Sequence, residues 1–263
     1  MKLSIIGGGN LGAAIAKGMA SADFFKSITV SRRNPDAIAS LLPLGIATSS
    51  DNIATVKDAK VIILAVKPHQ IKAVAEEIAP YVVDAVLISV ITGVEINDLA
   101  TWFGKDKKIV RAMPNTAIAQ AASMTCVSLN SAVQMEDKEL VTKIFEALGE
   151  LVFIDEKLMD AATVICACGT AYVMRFMRAM MQGGIQIGFD ANTAQKIVAQ
   201  TVKGAAMRLQ QENSHPEAEI DKVTTPQGCT IAGLNEMEHA GFSSALIKGI
   251  NTSYQAIGSI AKD

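Results

Sequence analysis

The chain is short of aromatic residues, of cysteines and of any excess of charge. Aromatic residues are 5% of its 263 positions, and 24 basic side chains stand against 26 acidic ones, for a net charge of −2. A nucleic-acid-binding protein needs a basic patch or stripe to neutralise phosphates, so this balance argues against a nucleic-acid partner. Half of the residues are hydrophobic, which excludes a disordered chain, and the length suits one or two domains.

Charged residues are also few, at 19% of the chain. An average soluble domain has about 25% charged residues, so the apolar content here is at the upper end of the normal range. We therefore expect the protein to bury apolar surface beyond the core of one monomer.

The cysteines are too sparse for a disulfide framework: there are four, namely Cys126, Cys166, Cys168 and Cys229. Cys166 and Cys168 have no nearby histidine and no second cysteine pair, so we expect no metal site. A reducing, cytoplasmic location is the default expectation for such a chain.

Long hydrophobic runs are lacking as well. The apolar stretch Ala161–Met174 follows Asp160 and stops at Arg175. A membrane span needs about 18–20 uncharged residues, so we expect no membrane partner. The first 22 residues could pass for a secretory signal, but glycines and polar residues interrupt them, and they carry a better motif.

Up to about residue 155, short β-rich runs alternate with helical stretches, which is typical of a mostly parallel sheet covered by helices. Strands are predicted near Lys2–Ile6, Ile28–Ser31, Val61–Ala65, Val86–Val90, Lys108–Arg111, Ser123–Leu129 and Leu151–Ile154. Helices are predicted near Asn10–Ala22, Asp36–Leu42, Pro68–Ala79, Ile96–Phe103 and Glu136–Leu148.

From about Lys157 the strand signals cease, and the remainder is predicted as helices broken at Gly183-Gly184, Asn213–Pro216 and Pro226–Gly228. One of these helices has a single apolar stripe, which we expect to face a core. The stripe consists of Ala194, Ile197, Val198, Thr201, Val202, Ala205 and Leu209.

The segment Leu158–Met181 differs, because apolar and small residues surround the helix on every side. A helix that is hydrophobic all round must be buried all round. In a domain of this size, burial between two subunits achieves this most easily, so we predict a homodimer through the helical half. The alternative is a central helix in a monomeric bundle.

The first predicted strand leads into Gly7-Gly8-Gly9-Asn10-Leu11-Gly12 and then into a helix, so a G-x-G-x-x-G lies in the strand–turn–helix context that the motif requires. Gly7 allows the tight turn, Gly9 lets the backbone approach a pyrophosphate, and Gly12 lets helix and strand pack closely. The helix N-terminus, with Asn10 and Leu11, offers N–H groups to the anion. The alternative is a glycine-rich turn without a ligand.

The second predicted strand does not end in the acidic residue that is typical of NAD-binding domains. About 20 residues past that turn, an NAD enzyme shows Asp or Glu to accept from the ribose 2′-hydroxyl. Here the second strand ends in Ser31-Arg32-Arg33, which can hydrogen-bond a 2′-phosphate. The sequence therefore predicts NADP rather than NAD, and NADPH over NADH.

Together these patterns predict an α/β fold in two parts. An N-terminal Rossmann-type NADP-binding domain spans residues 1–156, and a C-terminal all-α dimerisation and substrate domain spans residues 157–263.

Several further segments resemble one family, the pyrroline-5-carboxylate reductases, in the same order along nearly the whole chain. They are Ile5–Gly12, Ala65-Val66-Lys67-Pro68, Arg111-Ala112-Met113-Pro114-Asn115-Thr116, Asp160–Tyr172 and the closing run Val223–Leu234. The closing run is the most specific, because the first could belong to any Rossmann dehydrogenase. The resemblance implies NAD(P)H-dependent reduction of 1-pyrroline-5-carboxylate to L-proline, and a helical domain that interlocks two subunits, sometimes in larger rings of dimers.

The chain departs from the family pattern at a few positions. Cys166, Ala167 and Cys168 replace Ser, Gly and Ser, and Ala117 replaces a proline. Gln227 and Cys229 stand where the closing motif has Gly and Thr. We expect these changes to affect substrate affinity more than fold or reaction type.

The nicotinamide is expected beyond the carboxyl ends of the strands, where open α/β sheets bind ligands. Residues that follow strand ends there would line its ribose and ring: Ala65, Val66, Lys67, Pro68, Thr92, Gly93, Met113, Pro114 and Asn115. Asn52 resembles a family position near the adenine ribose. Lys67 is interpreted as a cofactor contact rather than a catalytic group.

Reduction of a cyclic imine needs no strong acid or base, and the three histidines, His69, His215 and His239, form no evident triad. Backbone N–H groups of Gly228, Cys229 and Thr230, at a helix start, are expected to hold the substrate carboxylate. Thr230 is predicted to be the catalytic residue, hydrogen-bonded to the ring nitrogen. Its alternative role is a helix cap.

Cofactor and substrate contacts thus fall in different domains, and an interlocked dimer would place them on different chains. Activity is then expected to require the dimer. Two rival functions remain. A related imine or β-hydroxyacid reductase is one, although the helix after Lys157 has no lysine before Lys196 to serve as an acid–base for an alcohol. The other is a non-catalytic NADP-binding regulator.

Overall fold

A computed structural model of the protein describes residues 1–260. By the density of its internal contacts the chain divides into two compact units. One comprises Met1–Cys168 together with residues 254–260, and the other comprises Gly169–Ser253.

The first unit is built on an eight-stranded sheet in the order β3-β2-β1-β4-β5-β6-β7-β8. The strands are β1 Lys2–Ile6, β2 Ser27–Ser31, β3 Ile46–Ser49, β4 Val61–Leu64, β5 Val86–Ser89, β6 Lys108–Pro114, β7 Ser123–Leu129 and β8 Gly149–Phe153. All neighbours are parallel except β6 and β7, which are antiparallel. The predicted α/β fold is confirmed.

Five α-helices accompany the sheet: α1 Asn10–Ser21, α2 Asn52–Val56, α3 Ile71–Ile78, α4 Ile96–Phe103 and α5 Met135–Glu146. Every residue of β4 and β5 is buried, as expected for central strands covered on both faces. Two apolar clusters result, one containing the α1 and α5 contacts and the other the α3 and α4 contacts.

Three local predictions for this unit were wrong. Strand β3 and helix α2 were not predicted, because only Ile46 of the short edge strand is fully buried and polar residues follow it. The predicted helix Asp36–Leu42 is instead a 3₁₀ segment, Pro35–Leu44, with a non-helical residue at Ile38.

The C-terminal half contains no strand in the described residues after β8. Its α-helices are α6 Met159–Ala162, α7 Gly169–Gln186, α8 Ala191–Leu209, α9 Pro216–Asp221, α10 Cys229–His239 and α11 Phe242–Ile260. A π-helical turn, Thr163–Cys168, joins α6 to α7. The predicted break at Gly183-Gly184 was wrong, since α7 continues to Gln186, and the left-handed Gly188 (φ +118°) follows it.

The second unit has almost no interior of its own. Of residues 169–253, only Ala194 and Val198 are buried, so most of the predicted stripe on α8 faces outward in the single chain. No residue of α7 is buried, which excludes the central helix of a monomeric bundle. The apolar side chains of this helix are thus left uncovered by the chain itself.

In residues 1–260, one helical stretch, Glu156–Gln186, is long and apolar enough to cross a membrane by length and composition, with a mean hydropathy of 1.2. It extends past the short apolar run considered in the sequence because the helix continues through Arg175 and Arg178. A long apolar helix that packs against a second subunit passes the same test, because the test considers only length and composition.

Candidate dinucleotide site and substrate-binding turn

At two positions of the turn after β1, a residue with a Cβ would clash with the backbone. Gly7 has φ +111°, and a Cβ there would lie 2.5 Å from the carbonyl oxygen of Ala65. A Cβ on Gly12 would lie 2.1 Å from the carbonyl oxygen of Gly7. The turn therefore contacts the end of β4 on one side and α1 on the other, as the roles predicted for these glycines require.

Gly9 differs from both, since a Cβ there would meet nothing within 4 Å. It is the N-cap of α1, and the first hydrogen bond of the helix is from Ala13 N to Gly9 O, at 2.9 Å. The N–H groups of Asn10, Leu11 and Gly12 precede that bond, and the first turn contains no acidic residue. These N–H groups have no partner within the helix, and the space beside Gly9 is open, so a pyrophosphate could bind there.

The end of β2 carries a hydrogen-bonded chain of three side chains. Ser31 is buried, and its Oγ donates to Oδ1 of Asn52 at 2.7 Å. Nδ2 of Asn52 donates to Oε2 of Glu77 at 2.9 Å. Ser31 thus orients the Asn52 amide, and a 2′-phosphate would have to replace that amide as the acceptor of its proton.

Arg32 and Arg33 are both exposed beside this chain. Nη1 of Arg32 donates to the carbonyl oxygen of Gly8 at 2.8 Å, which holds the guanidinium over the glycine turn. One such bond leaves the other guanidinium N–H groups of Arg32 available, and a guanidinium suits a phosphate because it donates from two nitrogens at once.

The remaining predicted cofactor residues lie at the same edge of the sheet, where β4, β5 and β6 end. Ala65–Pro68 follows β4, and Lys67 is exposed. Thr92 and Gly93 follow β5 and are half-buried. Met113 and Pro114 end β6, and Oδ1 of Asn115 accepts from Ala117 N at 3.0 Å, so Asn115 caps the next turn. The structure thus brings these residues, the glycine turn and Asn52 to one edge.

Beneath Met113, two thiols meet. Sγ of Cys126 lies 3.4 Å from Sγ of Cys166, in a small cluster with Met113 and Met159. The hydrogen bond from the Cys126 thiol stabilises the Cys166 thiolate and lowers the pKa of Cys166 to about 7. The same hydrogen bond and burial raise the pKa of Cys126.

An ionic cluster in the first unit was not recognised from the sequence. Arg111, on β6, is 3% exposed; its Nη1 lies 3.2 Å from Oε1 of Glu156 and its Nη2 lies 3.4 Å from Oδ1 of Asp160. The signals were present: a charged residue inside an apolar strand, and two acids one helical turn apart.

In the second unit, the candidate substrate residues form a tight turn before α10. Gly228 N donates to Thr225 O at 2.9 Å, and Gln227 has φ +61°. A Cβ on Gly228 would lie 2.5 Å from Oγ1 of Thr225, so no side chain fits. Cys229 and Thr230 then begin the helix, which has no side-chain cap, and both are exposed.

The capping alternative for Thr230 is disfavoured by this geometry, since Gly228 is the N-cap and Thr230 lies inside the first turn. The three histidines are exposed. Among residues 1–260, no three His, Cys, Asp or Glu side chains are grouped as a metal site would need.

Comparison with known proteins gives two matching family models. The model described as pyrroline-5-carboxylate reductase dimerisation matches residues 156–259. The model described as NADP oxidoreductase coenzyme F420-dependent matches residues 2–93.

Two relatives from Dictyostelium discoideum match nearly the whole chain. Pyrroline-5-carboxylate reductase 1 is 46% identical over 98% of this chain, which spans about half (49%) of that relative's length. Pyrroline-5-carboxylate reductase 2 is 42% identical over 94% of this chain and 89% of its own.

Solved structures agree. Plasmodium falciparum pyrroline carboxylate reductase, solved with NADP bound, superposes with a TM-score of 0.90 at 28% identity, covering 99% of this chain and 98% of its own. A Coxiella burnetii pyrroline-5-carboxylate reductase also gives 0.90, at 29% identity, covering 98% and 97%.

Proposed function

Since the chain belongs to the pyrroline-5-carboxylate reductase family, we propose that it reduces the cyclic imine 1-pyrroline-5-carboxylate to L-proline with NADPH, the final step of proline biosynthesis. It would act as an oxidoreductase on a C=N bond. The observation that carries the proposal is the glycine turn: Gly7 and Gly12 tolerate no side chain, while Gly9 opens onto free space at an uncapped helix start. The same first unit gathers the other predicted cofactor residues at that edge.

NADPH, when bound, supplies the hydride for the imine carbon. The first unit would hold it by its pyrophosphate on the N–H groups at Gly9–Gly12, and by its 2′-phosphate on Arg32 and Arg33. Asn52, which is fixed by Ser31 and Glu77, would contact the adenine ribose. The nicotinamide side would be lined by Ala65, Val66, Lys67, Pro68, Thr92, Gly93, Met113, Pro114 and Asn115.

The substrate carboxylate would be held at the start of α10, where the N–H groups of Cys229 and Thr230 belong to the unpaired first turn. The Thr230 hydroxyl is exposed and would hydrogen-bond the ring nitrogen, holding its proton in place. Because an iminium accepts hydride without a strong acid, orientation would provide most of the acceleration.

A homodimer through the helical half completes the proposal. Side chains with more than a third of their surface exposed cover the helices of the second unit: Val173, Met174, Phe176, Ile185, Ile197, Met207, Ile231, Met237, Phe242, Leu246 and Ile247. Such a surface is typical of an obligate interface, and a second copy of this chain rather than lipid is the proposed cover. The functional domains would be residues 1–156 and 157–263, and rings of dimers would be a further level of assembly.

The cytoplasm is the proposed location. The Sγ atoms of Cys126 and Cys166 lie 3.4 Å apart, as hydrogen-bonded thiols rather than a disulfide. Neighbouring thiols that are not oxidised to a disulfide are typical of a reducing compartment.

The test is NADPH oxidation in the presence of 1-pyrroline-5-carboxylate, followed by absorbance, with proline identified as the product. Tight NADPH binding without turnover would support the regulator, and turnover with a β-hydroxyacid but not the imine would support the other rival. The same assay with NADH tests the arginine pair, since a clear NADH preference contradicts the role given to Arg32 and Arg33.

A further inference from the structure

Arg111 lies where a charged side chain is costly. It is 3% exposed on β6, two residues before Met113, with apolar neighbours on the strand. Its Nη1 and Nη2 reach Glu156 and Asp160, while its Nε has no hydrogen-bond partner among the described residues. A buried guanidinium that lacks one hydrogen-bond partner stabilises the fold less than a well-packed apolar side chain of similar size. Folding stability alone therefore does not account for Arg111.

The cluster joins three segments of the first unit. Oε1 of Glu156 accepts from the backbone N–H of Ile96 at 2.7 Å, as well as from Arg111. Ile96 begins α4 three residues after Gly93, and Arg111 precedes Met113 on β6. Glu156 and Asp160 belong to the segment that leads into the π-helical turn. The Arg111 guanidinium and the Glu156 carboxylate therefore hold the loop after β5, the middle of β6 and the start of the helical half against one another.

We propose that Arg111 is a positioning residue for hydride transfer: through Glu156 and Asp160 it holds the nicotinamide-side segments of the first unit in place, without touching cofactor or substrate. The proposal depends on the proposed function, which assigns Thr92, Gly93 and Met113 to the nicotinamide side. The adenine side of the cofactor would be held by other elements, at the ends of β1, β2 and β3, whereas the hydrogen bonds of this cluster join β6, α4 and the Glu156–Asp160 segment.

This arrangement predicts a split between kinetic constants. An Arg111→Met variant lets the nicotinamide-side loops shift, and misplacement by about 1 Å costs roughly 100-fold in rate. We expect kcat to fall by about that factor, whereas the KM for NADPH changes by less than about threefold because the adenine side is untouched. Arg111→Lys keeps the charge but cannot bond both carboxylates from one planar fork, so we expect partial recovery.

Lys108 provides the matched control on the same strand. It is the first residue of β6, three positions before Arg111, and its Nζ pairs with Asp84 at 3.0 Å and with the buried Asp137 at 3.2 Å. Lys108→Met also removes a cation from two carboxylates and destabilises the same sheet, but far from the nicotinamide side. We expect its kcat to stay within about twofold of the parent enzyme's.

Glu156→Gln keeps an oxygen for the Ile96 N–H and removes only the charge, so it covers the case in which Arg111→Met does not fold. We expect kcat to fall by about tenfold, again with little change in the KM for NADPH. Equal loss of kcat in Lys108→Met, or unchanged kcat in folded Arg111→Lys and Glu156→Gln, would overturn the inference. The parent enzyme is assayed first: if it does not reduce the imine, the proposed function fails, whereas normal parent turnover with unaffected variants rejects the positioning role alone.

Discussion

The two compact units of this chain bury their apolar residues in opposite ways. In the first unit, β4 and β5 are buried at every residue, and two clusters fill both faces of the sheet. In the second unit only Ala194 and Val198 are buried, although its helices are rich in large apolar side chains. Each such side chain is worth about 1.5–3 kcal/mol when fully buried. The first unit therefore provides its own stability, while the second depends on a covering surface.

The largest effect is expected from charging that uncovered surface. Met174, on α7, is 61% exposed in the single chain. Met174→Glu would place a carboxylate inside the proposed dimer interface, where burial of an unpaired charge costs several kcal/mol. We expect loss of the dimer by light scattering, loss of turnover, and retention of the first unit's β-sheet signal in circular dichroism.

Val83→Glu is the control, because Val83 is 81% exposed in the first unit, which covers its own core. Val83→Glu is expected to change neither the mass of the dimer measured by light scattering nor the turnover. A monomeric Met174→Glu variant with full turnover would contradict both the interface and the dependence of activity on it.

A second pair of variants separates folding from binding within the first unit. Gly12→Ala puts a methyl group 2.1 Å from the carbonyl oxygen of Gly7, and such overpacking costs about 3 kcal/mol of unfolding free energy. Gly9→Ala meets open space instead. We expect its stability to change by less than about 0.5 kcal/mol while NADPH affinity falls by about tenfold or more, because the methyl group occupies the space for the pyrophosphate.

Chemical denaturation and NADPH titration measure the two quantities. If Gly9→Ala bound NADPH as tightly as the parent enzyme, the pyrophosphate would have to lie elsewhere.

Thr230 tests whether the second unit contributes chemistry as well as the interface. Thr230→Val keeps the shape of the side chain and removes the hydroxyl, so we expect kcat to fall by about 100-fold, in the range usual for a lost proton-transfer group. NADPH affinity should be unchanged, because the cofactor residues belong to the first unit. Thr230→Ser, which keeps the hydroxyl, should retain most of the activity; a fall equal to that of Thr230→Val would mean that packing, not the hydroxyl, matters.

The smallest effect concerns Cys166, at the end of the first unit. The Cys126 thiol lowers the pKa of Cys166 to about 7, below the value of about 8.5 for a free cysteine. A thiolate reacts and a thiol does not, so alkylation of Cys166 should rise with pH through about 7 and level off above it. Cys126→Ala removes the hydrogen bond and should move that midpoint upward, measured by mass spectrometry; an unchanged midpoint would contradict the thiol contact.

Most of the sheet followed from the sequence because central strands are continuous apolar runs with helical stretches between them. The signal failed at β3, whose edge position leaves only Ile46 fully buried, and at Gly183-Gly184, where α7 continues through two glycines. Propensity is a weak local preference, and an open helix face tolerates glycine when no competing turn is formed there. The predicted cofactor residues lie together at the carboxyl edge of the sheet, because each ends or follows a strand and the carboxyl ends of parallel strands share one edge.

Contacts between distant side chains could not be foreseen in the same way. Nothing in the separate segments indicates that Ser31 donates to Asn52, or that Asn52 in turn donates to Glu77. The Arg111 cluster likewise joins β6 to residues 45 and 49 positions further along the chain. Such pairs depend on the packing of whole elements, which local sequence patterns do not encode.

The sequence by itself determined the two-part organisation, the glycine turn, the missing acid after β2 and the family. These are local features: spacing, strand–turn–helix order and residue type carry them without knowledge of the packing. The tertiary structure decided which residues share an edge, that Ser31 is committed to Asn52, and that the apolar excess of the chain lies on helices it leaves uncovered. The burial of a side chain depends on the elements that pack around it, so only the tertiary structure shows which apolar side chains stay exposed.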